Sequence, residues 1–147
     1  MELSVFSDEY FMKMAYQEAQ KAFAEDEIPV GAVIVSNNKI LAKTHNQTET
    51  LNDVTAHAEM LAITAAANVL GAKYLNGCTL YVTLEPCPMC ASALEHAHIG
   101  KVVWAADDPK NGFKRFGNML HPKTEVQTGI MKDECVTLLT EFFAKKR

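Results

Sequence analysis

Cys87 and Cys90 stand three positions apart in Glu85-Pro86-Cys87-Pro88-Met89-Cys90. At the first turn of a helix that spacing puts both sulfurs on one side, where a Zn²⁺ ion can take them as thiolates. A third ligand is needed, and His57 of His57-Ala58-Glu59 is the natural candidate if it opens a second helix. Glu59 then points in another direction and stays free to act as acid and base. Three protein ligands leave one position on tetrahedral zinc open, which marks a catalytic site, because water there loses a proton near neutral pH. Structural sites close with four ligands. The combination therefore points to hydrolysis, whereas Cys-x-x-Cys alone is at least as often a structural zinc or redox pair.

These residues need elements that bring them together. Thr55 is placed to cap a helix reaching about Leu70, rich in alanine and apolar on most faces, with Gly71 ending it. Thr79 to Thr83 reads as a short apolar strand running into the cysteine motif, Ala91 to Ala97 continues the helix behind it, and Lys101 to Ala105 gives the next strand. Such alternation indicates an α/β sheet with parallel neighbours, whose strand ends are where sites form. Upstream, Ser7 caps a helix to about Ala24 with Phe11, Met14, Ala15, Ala19, Ala22 and Phe23 as its apolar stripe. Val30 to Val35 and Ile40 to Lys43 make a hairpin around Ser36-Asn37-Asn38, since asparagine tolerates the left-handed backbone of a tight turn. Thr44 to Val54 is a polar loop, and Asp107 to His121 another, with a short helical turn expected at Phe116 to Leu120. Glu125 to Thr128 adds an edge strand, and Lys132 to Ala144 a last helix with Cys135, Leu138, Leu139 and Phe142 on one side.

The chain has 147 residues, which suits a single domain spanning 1–147 and able to bury a core without disulfides. Hydrophobic residues at 48% and charged residues at 22% are ordinary for a globular protein. No basic segment followed by an apolar run opens the sequence and no stretch approaches bilayer length, so a cytoplasmic protein with no membrane association is expected. Cys78 and Cys135 are then buried free thiols. A net charge of −4 argues against a general nucleic-acid binder, yet Lys110, Lys114, Arg115 and Lys123 fall in one segment and Lys145-Lys146-Arg147 closes the chain. Those cations read equally well as a solvated surface. His45, His96, His98 and His121 have no ligand-like spacing with the cysteines and read as surface or packing residues.

His-x-Glu followed by Pro-Cys-x-x-Cys is the known signature of the zinc nucleoside and nucleobase deaminases. Beyond it, the sequence resembles the bacterial tRNA-specific adenosine deaminases of the cytidine/deoxycytidylate deaminase superfamily over nearly its whole length. The matching segments are Glu27-Ile28-Pro29-Val30-Gly31-Ala32-Val33, His45-Asn46, Thr55-Ala56-His57-Ala58-Glu59, Leu80-Tyr81-Val82-Thr83-Leu84-Glu85-Pro86-Cys87, Asp107-Asp108-Pro109-Lys110 and Phe142-Phe143. The resemblance implies a cytidine-deaminase-like three-layer α/β fold, a five-stranded mixed sheet with helices on both faces. It implies Zn²⁺ on His57, Cys87 and Cys90, and Glu59 moving protons between the attacking water, the ring nitrogen and the departing amine. Asn46, Val30, Leu84, Asp108, Lys110, Phe142 and Phe143 become the substrate contacts, Asn46 on the base. Without the resemblance, Asn46 reads more simply as bonding its own loop. The implied reaction converts the wobble adenosine of a tRNA anticodon loop to inosine, in a homodimer. The family pattern is longer and differently composed across Asn111 to His121, and Ala97-His98 stands where a serine-arginine pair is more familiar. Two rivals stand beside this reading: a deaminase of guanine or another free base, suggested by Glu-Pro-Cys-Pro-Met-Cys and the acidic charge, and a purely structural zinc module.

Overall fold

Residues on β1 (Gly31–Ser36) alternate strictly, with Ala32 and Ile34 on one face of the sheet and Val33 and Val35 on the other, all of them buried. A strand buried on both faces requires cover on both. The computed structural model describes residues 6–146. In it α1 (Asp8–Ala24) and α4 (Lys132–Lys145) cover one face, packing Phe11, Met12, Ala15 and Cys135 on Val33, Tyr81, Val103 and Ala105. On the other face, α2 (Ala58–Leu70) and α3 (Pro88–His96) bury Ala58, Ala62, Ala66, Ala91 and Leu94 against Ile34, Leu80, Val82, Val102 and Trp104. The result is the expected three-layer fold.

β2 (Lys39–His45), β1, β3 (Thr79–Leu84), β4 (Lys101–Ala106) and β5 (Glu125–Thr128) lie in that order across one five-stranded sheet. β1 runs antiparallel to β2 and β3, whereas β3, β4 and β5 are mutually parallel, with α3 as the crossover between β3 and β4. The hairpin turn places Asn37 and Asn38 at φ 51° and 61°, the left-handed region that asparagine tolerates. Ser7 caps α1 by accepting from the Tyr10 N–H at 3.1 Å, and Gly71 ends α2 at φ 66°. At Gly31 a Cβ would run into the backbone of Ala15 and Ala19, so α1 can lie directly on the start of β1.

Two local expectations need correction. His57, not Thr55, occupies the N-cap of α2; the Thr55 hydroxyl and N–H both turn back to the Asp53 carboxylate in a local turn, which removes Thr55 as a cap. The short turn in the long loop is a 3₁₀ turn at Phe113–Phe116 and not at 116–120, because Phe113 is the ring that buries, edge-on against Trp104. Among the described residues no helix is long and apolar enough to cross a membrane.

Candidate active site

Two helix N-termini meet beyond the carboxyl ends of β3 and β4. His57 is the N-cap of α2 and Cys87 the N-cap of α3, both extended in backbone and neither spending its side chain on a capping bond. Pro88 follows Cys87 at the first position of α3, where its fixed φ suits the helix and no N–H is missed. Cys90, one turn on, therefore shares a side with Cys87. Nδ1 of His57 lies 3.5 Å from each sulfur. Zinc about 2.1 Å from nitrogen and about 2.3 Å from sulfur, in a tetrahedron, requires a nitrogen–sulfur separation of about 3.6 Å. The donor set and its spacing thus fit zinc. All three ligand atoms fall within 4.8 Å of one another, and among the described residues no fourth His, Cys, Asp or Glu joins the group.

Charge at this junction follows from the same geometry. The Cys90 thiol and His57 hold Cys87 as a thiolate down to about 4, and the converging helix dipoles favour the same form. Cys90 is pushed up in turn by that thiolate and by its own burial. His57 is raised by its bond to the Cys87 thiolate. Two residues past the N-cap, about 200° round the helix, Glu59 is free of the ligand set and only 4% exposed. Burial pushes its carboxyl up to about 7. A carboxyl so placed exchanges protons readily near neutral pH.

A cavity of about 670 Å³ opens over these groups. It is lined by His57, Glu59 and Cys87 together with Asn46, Val30, Leu84, Asp108, Lys110 and Phe143. Cys90 lies beneath them, fully buried. Phe142 does not reach the cavity: it faces the interior at 3% exposure, edge-on to Phe23, while its neighbour Phe143 turns outward. Arg147 lies outside the described residues. Of the other terminal cations, Lys146 pairs with Asp26 at 2.6 Å and Lys145 sits 4.7 Å from the Phe23 ring centroid. His98 adopts φ 53° and stacks on Tyr74, and His45 bridges Glu18 and Glu25 of the α1 end, so neither joins the metal group.

Two buried carboxylates, to which the sequence alone lends no role, hold the cavity's loops. Glu27 accepts from the N–H groups of Glu49 and Thr50 and from the Thr50 hydroxyl, at 3.1, 2.6 and 2.7 Å. Burial works against its charge, but these donors outweigh it and hold the carboxyl below its usual range. Glu85 accepts from the N–H of Asp108 at 2.9 Å and of Lys114 at 3.0 Å. Gly112 packs so closely on Glu85 that a Cβ there would collide with the carboxylate. For Glu85 the available signal was a charged residue closing an apolar run, Leu-Tyr-Val-Thr-Leu-Glu, where an unpaired carboxylate is too costly to bury.

Residues 6–106 match the cytidine and deoxycytidylate deaminase zinc-binding region. Fold and site together define a zinc-dependent deaminase. The tRNA-specific adenosine deaminase of Bacillus subtilis (strain 168) is 46% identical over 95% of this chain and 91% of its own length. A solved structure from a study of tRNA:A34 deaminases superposes with TM-score 0.83 at 41% identity, over 88% of this chain and 99% of that one. A guanine deaminase from Bacillus subtilis is 44% identical, but over 69% of this chain and 65% of its own, with TM-score 0.66. The chain belongs to the family of the tRNA-specific adenosine deaminases.

Proposed function

We propose that the chain hydrolyses the wobble adenosine of a tRNA anticodon loop to inosine: water enters at the amino-bearing ring carbon and ammonia leaves. The observation that carries this reading is the single cavity that joins the His57-Cys87 metal edge and Glu59 to Asn46, between the apolar walls Val30 and Leu84. Zinc held by His57, Cys87 and Cys90 supplies a Lewis acid that lets water act as nucleophile near neutral pH. Glu59 takes one proton from the attacking water and passes it to the ring nitrogen, then takes the second from the hydroxyl left on that carbon and passes it to the amine, which departs as ammonia. Its burial excludes bulk water from that exchange. Asn46 offers an amide to the base edge, and its position is fixed by its N–H bond to the Val30 carbonyl at 3.0 Å. Asp108, Lys110 and Phe143 stand where the rest of an RNA would leave the cavity.

A free base would need no such rim, and relatives 46–47% identical over 95% of the chain are tRNA-specific adenosine deaminases, which favours RNA. The three-ligand group speaks against a structural zinc module. We further read the chain as one cytoplasmic domain that pairs as a homodimer, supported by the apolar surface that α2 leaves outside at Val69 and Leu70; light scattering at micromolar concentration should return twice the chain mass of 16.2 kDa. The decisive test offers the zinc-loaded protein an anticodon stem-loop with a wobble adenosine, and separately free guanine. Inosine in the RNA is expected; guanine turnover without inosine overturns the reading.

A further inference from the structure

The 3₁₀ turn at Phe113–Phe116 buries one phenyl ring and displays another. Phe113 is 2% exposed, Phe116 63%, more than Phe6, Tyr74 or Phe143. A solitary exposed phenyl is unremarkable on a mobile loop, but this one is held. The Phe113 ring anchors one end of the turn on Trp104, and the Lys114 N–H is bound by Glu85, which itself lines the cavity. Phe116 is two residues beyond that anchor, within about 7 Å of backbone. Arg115 is held as well: its Nε donates to the Gly112 carbonyl at 3.3 Å, and its guanidinium lies 4.5 Å from the Phe116 ring centroid. Across Asp107–Phe116 three cations face two carboxylates. Lys114 is taken up by Asp107 at 3.1 Å, while Lys110 and Arg115 form no ion pair among the described residues.

We infer that Arg115 and Phe116 form a stacking platform for a nucleotide flanking the target base, the ring taking the base face and the free cations the adjoining phosphate. The inference rests on the RNA reading above. An aromatic ring beside unpaired cations is what unstructured single strands bind, because every base has a π-face and every nucleotide a charge.

Steady-state kinetics of the full-length, zinc-loaded protein on the anticodon stem-loop test this. Phe116→Ala should raise KM roughly tenfold, within the span of a lost base-aromatic stack, with kcat unchanged, and Phe116→Trp should restore it. A stem-loop carrying 2-aminopurine beside the wobble adenosine should lose fluorescence on binding the wild type and keep it with Phe116→Ala. If the wild type makes inosine but Phe116→Ala leaves KM and quenching unmoved, the platform is wrong and the functional reading stands. A drop to monomer mass on Phe116→Ala instead assigns the ring to a second copy and also overturns the platform. Wild type making no inosine removes the functional reading itself.

Discussion

The floor of the cavity and its rim are built in opposite ways. At the floor, each group proposed to react or to hold zinc sits within two or three residues of a helix start, so its direction is set by the local chain: His57 and Glu59 by α2, Cys87 and Cys90 by α3. Beside Phe143 of α4, the rim is made of two loops with no more regular structure than one 3₁₀ turn, and each hangs on one carboxylate more than twenty positions away, Glu27 for the loop at 49–50 and Glu85 for the loop at 108–114. A locally built floor can be damaged only at its own residues. A rim suspended from the scaffold can be moved without touching anything that meets the substrate.

The sharpest break of this contrast is at the floor. Glu59→Gln should keep zinc and lose about 10²- to 10⁴-fold in kcat, the usual range for a proton-transferring group, while Cys87→Ala should lose zinc as well. Metal content by atomic absorption beside single-turnover rates separates the two; zinc lost from Glu59→Gln would place Glu59 among the ligands.

The rim should fail through binding. Glu85→Ala leaves the Asp108 and Lys114 N–H groups without an acceptor, costing about 1–3 kcal/mol for each, and a chain of this size loses about 2–4 °C of Tm per kcal/mol. KM for the stem-loop should rise more than kcat falls, and Glu85→Gln, which keeps one acceptor oxygen, should be intermediate. A Glu85→Ala protein that melts and binds like wild type would show that the loop is held by something else.

What was legible in the sequence divides along the same line. The metal residues, the Ser7 cap, the Asn37-Asn38 turn and the Glu125–Thr128 edge strand each depend on side chains close to one another in the chain, where spacing carries the information. Glu27 and Glu85 stood inside recognised segments without a role, because a buried carboxylate reveals its task only when remote backbone donors come to it. The 3₁₀ turn was misplaced for the same reason: two phenylalanines three apart compete for one pocket beside Trp104, and only the tertiary contact tells Phe113 from Phe116. Thr55 offered a good cap, yet Asp53, two residues earlier, satisfied its hydroxyl first.

Glu27 allows the rim to be loosened by pH. Its folded carboxyl sits below the ordinary value of 4.5, so the stability it contributes is fully present above that value and is lost as pH falls through the folded one. Glu27→Gln should therefore lower Tm at neutral pH and flatten the part of the acid limb that lies below 4.5. Thermal melts of both proteins across that interval check it; parallel curves for wild type and Glu27→Gln would mean the loop at 49–50 is held without this charge.

The smallest effect separates a cation that lines the cavity from one that does not. Lys110 lines it and is unpaired among the described residues, whereas Lys146 is pinned to Asp26 and rests 5.5 Å from the Phe142 ring centroid. A cation already neutralised by the protein has little to give a phosphate, while a free one releases a counterion when it makes contact. For single-stranded RNA each such contact contributes roughly −0.7 to the slope of log affinity against log salt. Lys110→Ala should reduce the slope by about that amount, and Lys146→Ala by much less, both with kcat unchanged. Stem-loop binding titrated across a salt series measures the two slopes side by side. Equal losses would mean that the Lys146–Asp26 pair opens when RNA arrives, which would carry the RNA contact past Phe143 to the residue that caps α4.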